Sequence, residues 1–178
     1  GEMSAFDLDF ANTKEETTLT FPDGKKYVGE VKGGKPDGEG VYYDGNGQVM
    51  FKGNVKDGKR EGEWVEYHDN GQEMFKGNYK DNNKEGGWIN YYDNGQVRFK
   101  GKVKDGKREG EWINYYGNGQ ERSKGNHKDN KMEGEWVEYY ENGQESYKGN
   151  YKDYNKEGEG VEFKENGDKY EGIWVLGK

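Results

Sequence analysis

Residues 61–84 read EGEWVEYHDNGQEMFKGNYKDNNK, a unit that recurs with a period of 24 residues. Its marker is an Asn-Gly pair, present at Asn46-Gly47, Asn70-Gly71, Asn94-Gly95, Asn118-Gly119, Asn142-Gly143 and Asn166-Gly167. Asn-Gly between alternating apolar and polar residues is a strong hairpin signal, because the favoured two-residue turn needs φ > 0 at both central positions. Six such turns in register predict six copies of one hairpin, stacked in a row.

Counting outwards from Asn70-Gly71 pairs His68 with Glu73, Tyr67 with Met74, Glu66 with Phe75, Val65 with Lys76, Trp64 with Gly77 and Gly62 with Tyr79. Alternation then sorts two faces. One carries Gly62, Trp64, Glu66, Phe75, Gly77 and Tyr79; the other carries Glu63, Val65, Tyr67, Met74, Lys76 and Asn78. Strand glycines weaken a sheet unless something approaches them closely, so Trp64 is expected to cover Gly77. Trp88 with Gly101, Trp112 with Gly125 and Trp136 with Gly149 repeat the arrangement. A second column, Phe51, Phe75, Phe99 and Tyr147, flanks the tryptophans and is broken by Ser123. On the opposite face Val65, Ile89, Ile113 and Val137 run beside Tyr67, Tyr91, Tyr115 and Tyr139.

Bulk composition looks unlike a globule: 28% of residues are hydrophobic and 36% charged. That balance by itself reads as disorder. A solenoid escapes the objection, since each repeat covers only its neighbours. The expected fold is all-β, a single-layer elongated solenoid of stacked antiparallel hairpins with six to seven units. Strand spacing makes such a sheet roughly 60 Å long and about 20 Å wide. Residues 1–21 form an N-terminal extension, where Phe6, Leu8 and Phe10 alternate with Asp7 and Asp9. They read as an edge cap or as a tether to something else; residues 22–178 form the repeat array.

The ends of the array carry a recognisable variant. Residues 24–40, GKKYVGEVKGGKPDGEG, and 167–178, GDKYEGIWVLGK, resemble the MORN (membrane occupation and recognition nexus) repeat. Tyr27, Gly29, Gly34, Lys35, Gly38 and Gly40 match at the start; Tyr170, Gly172, Trp174, Gly177 and Lys178 match at the end. The middle units resemble the bacterial-style variant of that repeat. They have one more residue between turn glycine and strand glycine (Gly71 to Gly77 against Gly24 to Gly29), which predicts a bulge or a longer loop. The end units are expected to cap the array. The resemblance implies a non-enzymatic interaction scaffold, with a protein partner or self-association. It also implies phospholipid binding or an antitoxin-like role as alternatives, and it brings no catalytic residues.

Little chemistry competes with this reading. His68 and His127 occupy different places in the period, and Ser4, Ser123 and Ser146 fall within reach of neither, so no nucleophile–base pair is indicated. The chain has no cysteine, and no cofactor or metal is expected. The connectors Asp57–Gly62, Asp81–Gly86 and their copies read as turns, not calcium loops. Lys52, Lys76, Lys100, Lys124 and Lys148 form one ladder and Glu61, Glu85, Glu109, Glu133 and Glu157 another, expected to neutralise each other. A net charge of −8 argues against nucleic acid and against anionic lipid. No signal or membrane span is visible in the sequence, which favours a cytoplasmic location. The candidate binding faces are the column of Trp64, Trp88, Trp112 and Trp136 with Phe75 and Phe99, and the opposite column of Tyr67, Tyr91, Tyr115 and Tyr139. Such rings can serve as core, as an exposed strip for a partner, or as both.

Overall fold

The computed structural model describes residues 16–175. It holds fourteen strands and, among the described residues, no helix. They are β1 (Thr17–Thr20), β2 (Lys26–Lys32), β3 (Lys35–Tyr43), β4 (Val49–Lys56) and β5 (Lys59–Tyr67). β6 (Glu73–Lys80), β7 (Asn83–Tyr91), β8 (Val97–Lys104), β9 (Lys107–Tyr115) and β10 (Glu121–Lys128) follow. β11 (Lys131–Tyr139), β12 (Glu145–Lys152), β13 (Asn155–Phe163) and β14 (Lys169–Trp174) complete the sheet. Each strand pairs antiparallel with the next in chain order, so the whole is one open meander. β1 and β2 supply a seventh hairpin, turned at Asp23-Gly24, where Phe21 and Lys25 are hydrogen-bonded. The boundary expected at 21/22 thus falls in this turn, while Phe6, Leu8 and Phe10 lie outside the described residues.

Two turn types alternate along the meander, and they exchange the places expected of them. At the Asn-Gly pairs only glycine is left-handed: Gly71 has φ 86°, and no Asn of these pairs has positive φ. The His68 amide bonds Gln72 O at 2.7 Å and the Gly71 amide bonds His68 O at 2.9 Å. This is a three-residue loop, a type I turn closed by a left-handed glycine. The two-residue turns with both φ positive are the connectors, such as Asp57 (51°) with Gly58 (77°) and Asp81 (48°) with Asn82 (70°). The mirror-image turn therefore joins successive hairpins.

The extra residue of the middle units is a bulge. Glu66 pairs with Phe75, but Tyr67 pairs with Glu73, which leaves Met74 unmatched. The expected pairs Tyr67–Met74 and His68–Glu73 are corrected accordingly, since the three-residue loop shifts the register near the turn. The remaining expected pairs hold, including Trp64–Gly77 and Gly62–Tyr79. The end hairpins β1–β2 and β13–β14 pair without a shift. A second bulge recurs where hairpins join: Gly53 faces Trp64 while Asn54 faces Glu61, so Gly62 and Glu63 are extra on β5. Gly62 serves this bulge with φ 73°, and a Cβ on it would meet nothing within 4 Å. Its glycine is conformational, not a landing place for a ring.

Both long edges carry ladders between units. On the connector edge, the amides of Asp81, Asp105 and Asp129 donate to the carboxylates of Glu61, Glu85 and Glu109. Three members of the glutamate ladder are thus spent on backbone. The lysine ladder lies elsewhere: Lys76 and Lys148 pair with Glu63 and Glu135 at 3.7 and 3.8 Å. At the turn edge, the hydroxyls of Tyr92, Tyr116 and Tyr140 donate to the carbonyls of Tyr115, Tyr139 and Phe163. His68 stands in the tyrosine register and does the same through Nε2 to Tyr91 O at 3.0 Å.

Candidate functional site: the aromatic face

The tryptophans reach backwards. A Cβ on Gly53 would overlap the Trp64 ring, one on Gly77 the Trp88 ring, one on Gly101 the Trp112 ring and one on Gly125 the Trp136 ring. The expected partners Gly77, Gly101, Gly125 and Gly149 are each replaced by the glycine one hairpin earlier. The cause is the junction bulge. It frees the carbonyl just past the glycine, and the indole takes it: Trp64 Nε1 donates to Asn54 O at 3.0 Å, Trp112 Nε1 to Lys102 O at 3.0 Å and Trp136 Nε1 to Asn126 O at 3.1 Å. Trp64, Trp112 and Trp136 therefore tie their hairpins to the preceding ones.

This fastening buries the column. Trp64 and Trp88 are 5% exposed and Trp112 and Trp136 1%. A third column, unremarked in the repeat, slots between them: Val55, Tyr79, Val103, His127 and Tyr151. Tyr79 stands edge-on to Trp64 and to Trp88, with centroids 6.4 and 5.7 Å away. His127 stands edge-on to Trp112 and Trp136 at 6.1 and 5.2 Å. Phe75 stacks on Trp88 at 5.1 Å, and Phe99 lies 6.1 Å from Trp112. Both phenylalanines are half-buried. Opposite them, Tyr67, Tyr91, Tyr115 and Tyr139 are also half-buried. Lys52 and Lys100 extend over the rings of Tyr67 and Tyr115. The two columns sorted by alternation thus occupy opposite faces, and the tryptophan face holds the core.

Burial sets the protonation of this face. It lowers the His127 pKa, helped by the Arg108 cation and opposed by a backbone bond at Asn130. Among the described residues, His127 Nδ1 and the buried Tyr147 hydroxyl find no hydrogen-bond partner. Tyr27, fully buried over Gly40, has its pKa pushed up to about 12, first by burial.

A cation closes the column from the connector side in most units. The register position is 60, 84, 108 and 156. Arg60 lies 4.1 Å from the Tyr79 centroid, Lys84 4.5 Å from Trp88, Arg108 4.3 Å from Trp112 and Lys156 4.0 Å from Tyr147. The same register holds Met132, which packs against Trp136 and its neighbours, and Pro36. Beside Pro36, in the unit where Gly40 holds the tryptophan register, a cavity of about 550 Å³ opens, with Lys35 and Arg60 in its wall. Tyr42, Phe51, Trp64, Phe75 and Tyr79 line it with Glu66. Tyr42 occupies the register held by Glu66, Asn90, Asn114, Glu138 and Glu162 in later units. It adds a ring 4.6 Å from Phe51 and 6.1 Å from Trp64. Glu66 is half-buried, and desolvation raises its pKa against the pull of Arg60 and Lys84. The signal for this groove was present in the sequence as departures from the period at Pro36, at Gly40 in the tryptophan register and at Tyr42. Reading each unit for its likeness to the others passes over them.

Among the described residues, no group of three or more His, Cys, Asp or Glu could hold a metal ion. No helix among them is long and apolar enough to cross a membrane. The MORN repeat variant family matches residues 36–57, 60–81, 84–105, 108–129 and 132–153. These five consecutive matches cover more than half of the chain, and the protein belongs to that family. Its members are repeat modules, generally non-enzymatic, that commonly bind membranes or proteins. No curated protein matches the chain.

Proposed function

We propose that this MORN-repeat sheet is a non-enzymatic scaffold that grips a protein partner through its tryptophan face, at the groove of the first units. The observation that carries the reading is the open aromatic floor of Tyr42, Phe51 and Phe75 around a cavity of about 550 Å³. In the units of Trp88, Trp112 and Tyr147 a connector cation stands over a ring. Apolar, ring-rich hollows with a few polar groups at the rim are the usual anchor points of protein recognition. The second hairpin of the groove is tied to the third at both edges, by Asp81 to Glu61 and by His68 to Tyr91.

The lysine-bearing tyrosine face suits an anionic surface less well. Lys76 and Lys148 are paired with glutamates, and the chain carries a net charge of −8. Full-length protein immobilised and exposed to a lysate of its native host tests the choice. Phe51→Ala is expected to abolish retention of the partner and Tyr115→Ala to leave it intact, with circular dichroism confirming that both variants fold. The opposite pattern would place binding on the tyrosine face. Retention by neither the wild type nor anionic vesicles would remove the scaffold reading.

A further inference from the structure

The groove of the first units is complementary to a stretch of this chain's own sequence. Its floor is aromatic, and its lining carries Lys35 and Arg60 against Glu66. Lys35 and Arg60 are both exposed, which suits them to carboxylates turned away from the floor. A fitting occupant is therefore apolar along one side and acidic along the other. Residues 6–10, Phe-Asp-Leu-Asp-Phe, have that pattern. In an extended chain Phe6, Leu8 and Phe10 share one side, and Asp7 and Asp9 the other. We propose that residues 6–10 of the same chain occupy the groove, phenylalanines on the aromatic floor and aspartates against Lys35 and Arg60. The proposal rests on the scaffold reading for its groove, and it names the occupant that a partner must displace.

The sheet delivers the segment to this place. Thr17 pairs with Gly29 and Thr20 with Lys26, while the far end of β2, Lys32, pairs with Lys35. β1 therefore begins towards the connector edge, the side of Lys35 and Pro36. Paired residues run from Thr17 across Gly29, Gly40 and Gly53 to Trp64, and from Leu19 across Tyr27 and Tyr42 to Phe51. Thr17 and Leu19 thus stand on the face of the groove, and both are half-buried. The strand spacings from β1 to β5 add up to about 19 Å. Phe10 lies seven residues before Thr17, a length that spans up to about 24 Å when extended. The segment reaches Trp64 with every strand left in place. So short a tether holds it at a roughly millimolar local concentration, which offsets the repulsion within a chain of net charge −8. Arg60 is already steadied, with Nη1 donating to the Tyr79 hydroxyl at 3.0 Å and Nε to Asn82 Oδ1 at 3.2 Å. Its fork has donors beyond these two for a carboxylate.

The test uses the full chain and a fluorescein-labelled peptide of residues 4–12, followed by anisotropy at low salt. A double variant, Phe6→Ala with Phe10→Ala, vacates the groove. It is expected to bind the peptide about tenfold more tightly than the wild type, whose own segment competes. On that background Phe51→Ala should weaken the peptide by about tenfold. Should that variant fail to fold, Tyr42→Asn, which installs a residue type of later units, carries the same expectation. A peptide with asparagine at both aspartate positions should bind more weakly and lose its salt dependence; equal affinity would remove the pairing with Lys35 and Arg60. Equal affinity of the wild type and the double variant overturns the proposal, as does absence of binding to the double variant at millimolar peptide. Binding insensitive to Phe51 and Tyr42 also overturns it, and moves the segment to the outer edge of β1. If the double variant binds no peptide yet retains the host partner through Phe51, the scaffold reading survives and this assignment does not. If the peptide needs Phe51 and the host partner does not, the segment keeps the groove and the scaffold reading loses it.

Discussion

Tyr154 has φ 72°, in a connector position held by Gly58, Asn82, Gly106 and Asn130 in the other units. Left-handed backbone costs a side chain with a full Cβ about 1–2 kcal/mol, and asparagine tolerates it best. At this position an amide also gains a partner, as Asn130 Oδ1 accepts from the Arg108 amide at 3.0 Å. Tyr154→Asn is therefore expected to stabilise the protein by about 1 kcal/mol in urea denaturation, the lost contact with His127 included. His127 is the other residue out of type. Its folded pKa lies below the unfolded value of 6.5, so the unfolded chain binds the proton first as pH falls. Its contribution is complete above pH 6.5 and declines as pH drops towards the folded pKa. Tm of the wild type should thus fall between pH 7 and pH 5, and His127→Tyr, the residue of Tyr79 and Tyr151, should flatten that fall. An unchanged slope would show that other groups set the acid limit. At the alkaline end Tyr27, held up to about 12, contributes stability that is complete below pH 10 and declines as pH rises towards 12.

The hairpin is where sequence and structure can be compared most closely. Alternation sorted the faces correctly because the period of two survives in the strand centres, Trp64 to Glu66 and Phe75 to Gly77. It failed at the strand ends. Whether Asn-Gly makes a two-residue or a three-residue turn depends on how the flanking strands twist and bulge, and the dipeptide suits either. The backward reach of the tryptophans was equally illegible. Trp64 faces Gly53 on one side and Gly77 on the other, and only the junction bulge, which frees Asn54 O, decides between them. The edge ladders of Tyr92, Tyr116 and Tyr140 were visible as a repeat, though their hydrogen bonds needed the stagger between units. A double-mutant cycle checks the direction of reach. Trp112→Phe and Gly101→Ala should be coupled by about 1 kcal/mol or more, because the added methyl meets the indole. Trp112→Phe and Gly125→Ala should be additive. Coupling at Gly125 instead would reverse the assignment.

At the scale of the whole molecule the period alone dictated the order of the sheet: fourteen strands in chain sequence, each resting on its neighbours. It could not show that such a thin sheet buries tryptophan almost completely, which follows from tiling rings over glycine. Nor could it show where the tiling stops. That place falls where the first unit departs from the rest, at Pro36, at Gly40 in the tryptophan register and at Tyr42, and there the core becomes a surface. Hydrogen exchange of the full chain, with and without the partner retained from its native host, tests this most directly. The account predicts that protection gained on binding concentrates in β3 to β6, around Phe51, Trp64 and Phe75. Protection confined to β9 to β12 would contradict it.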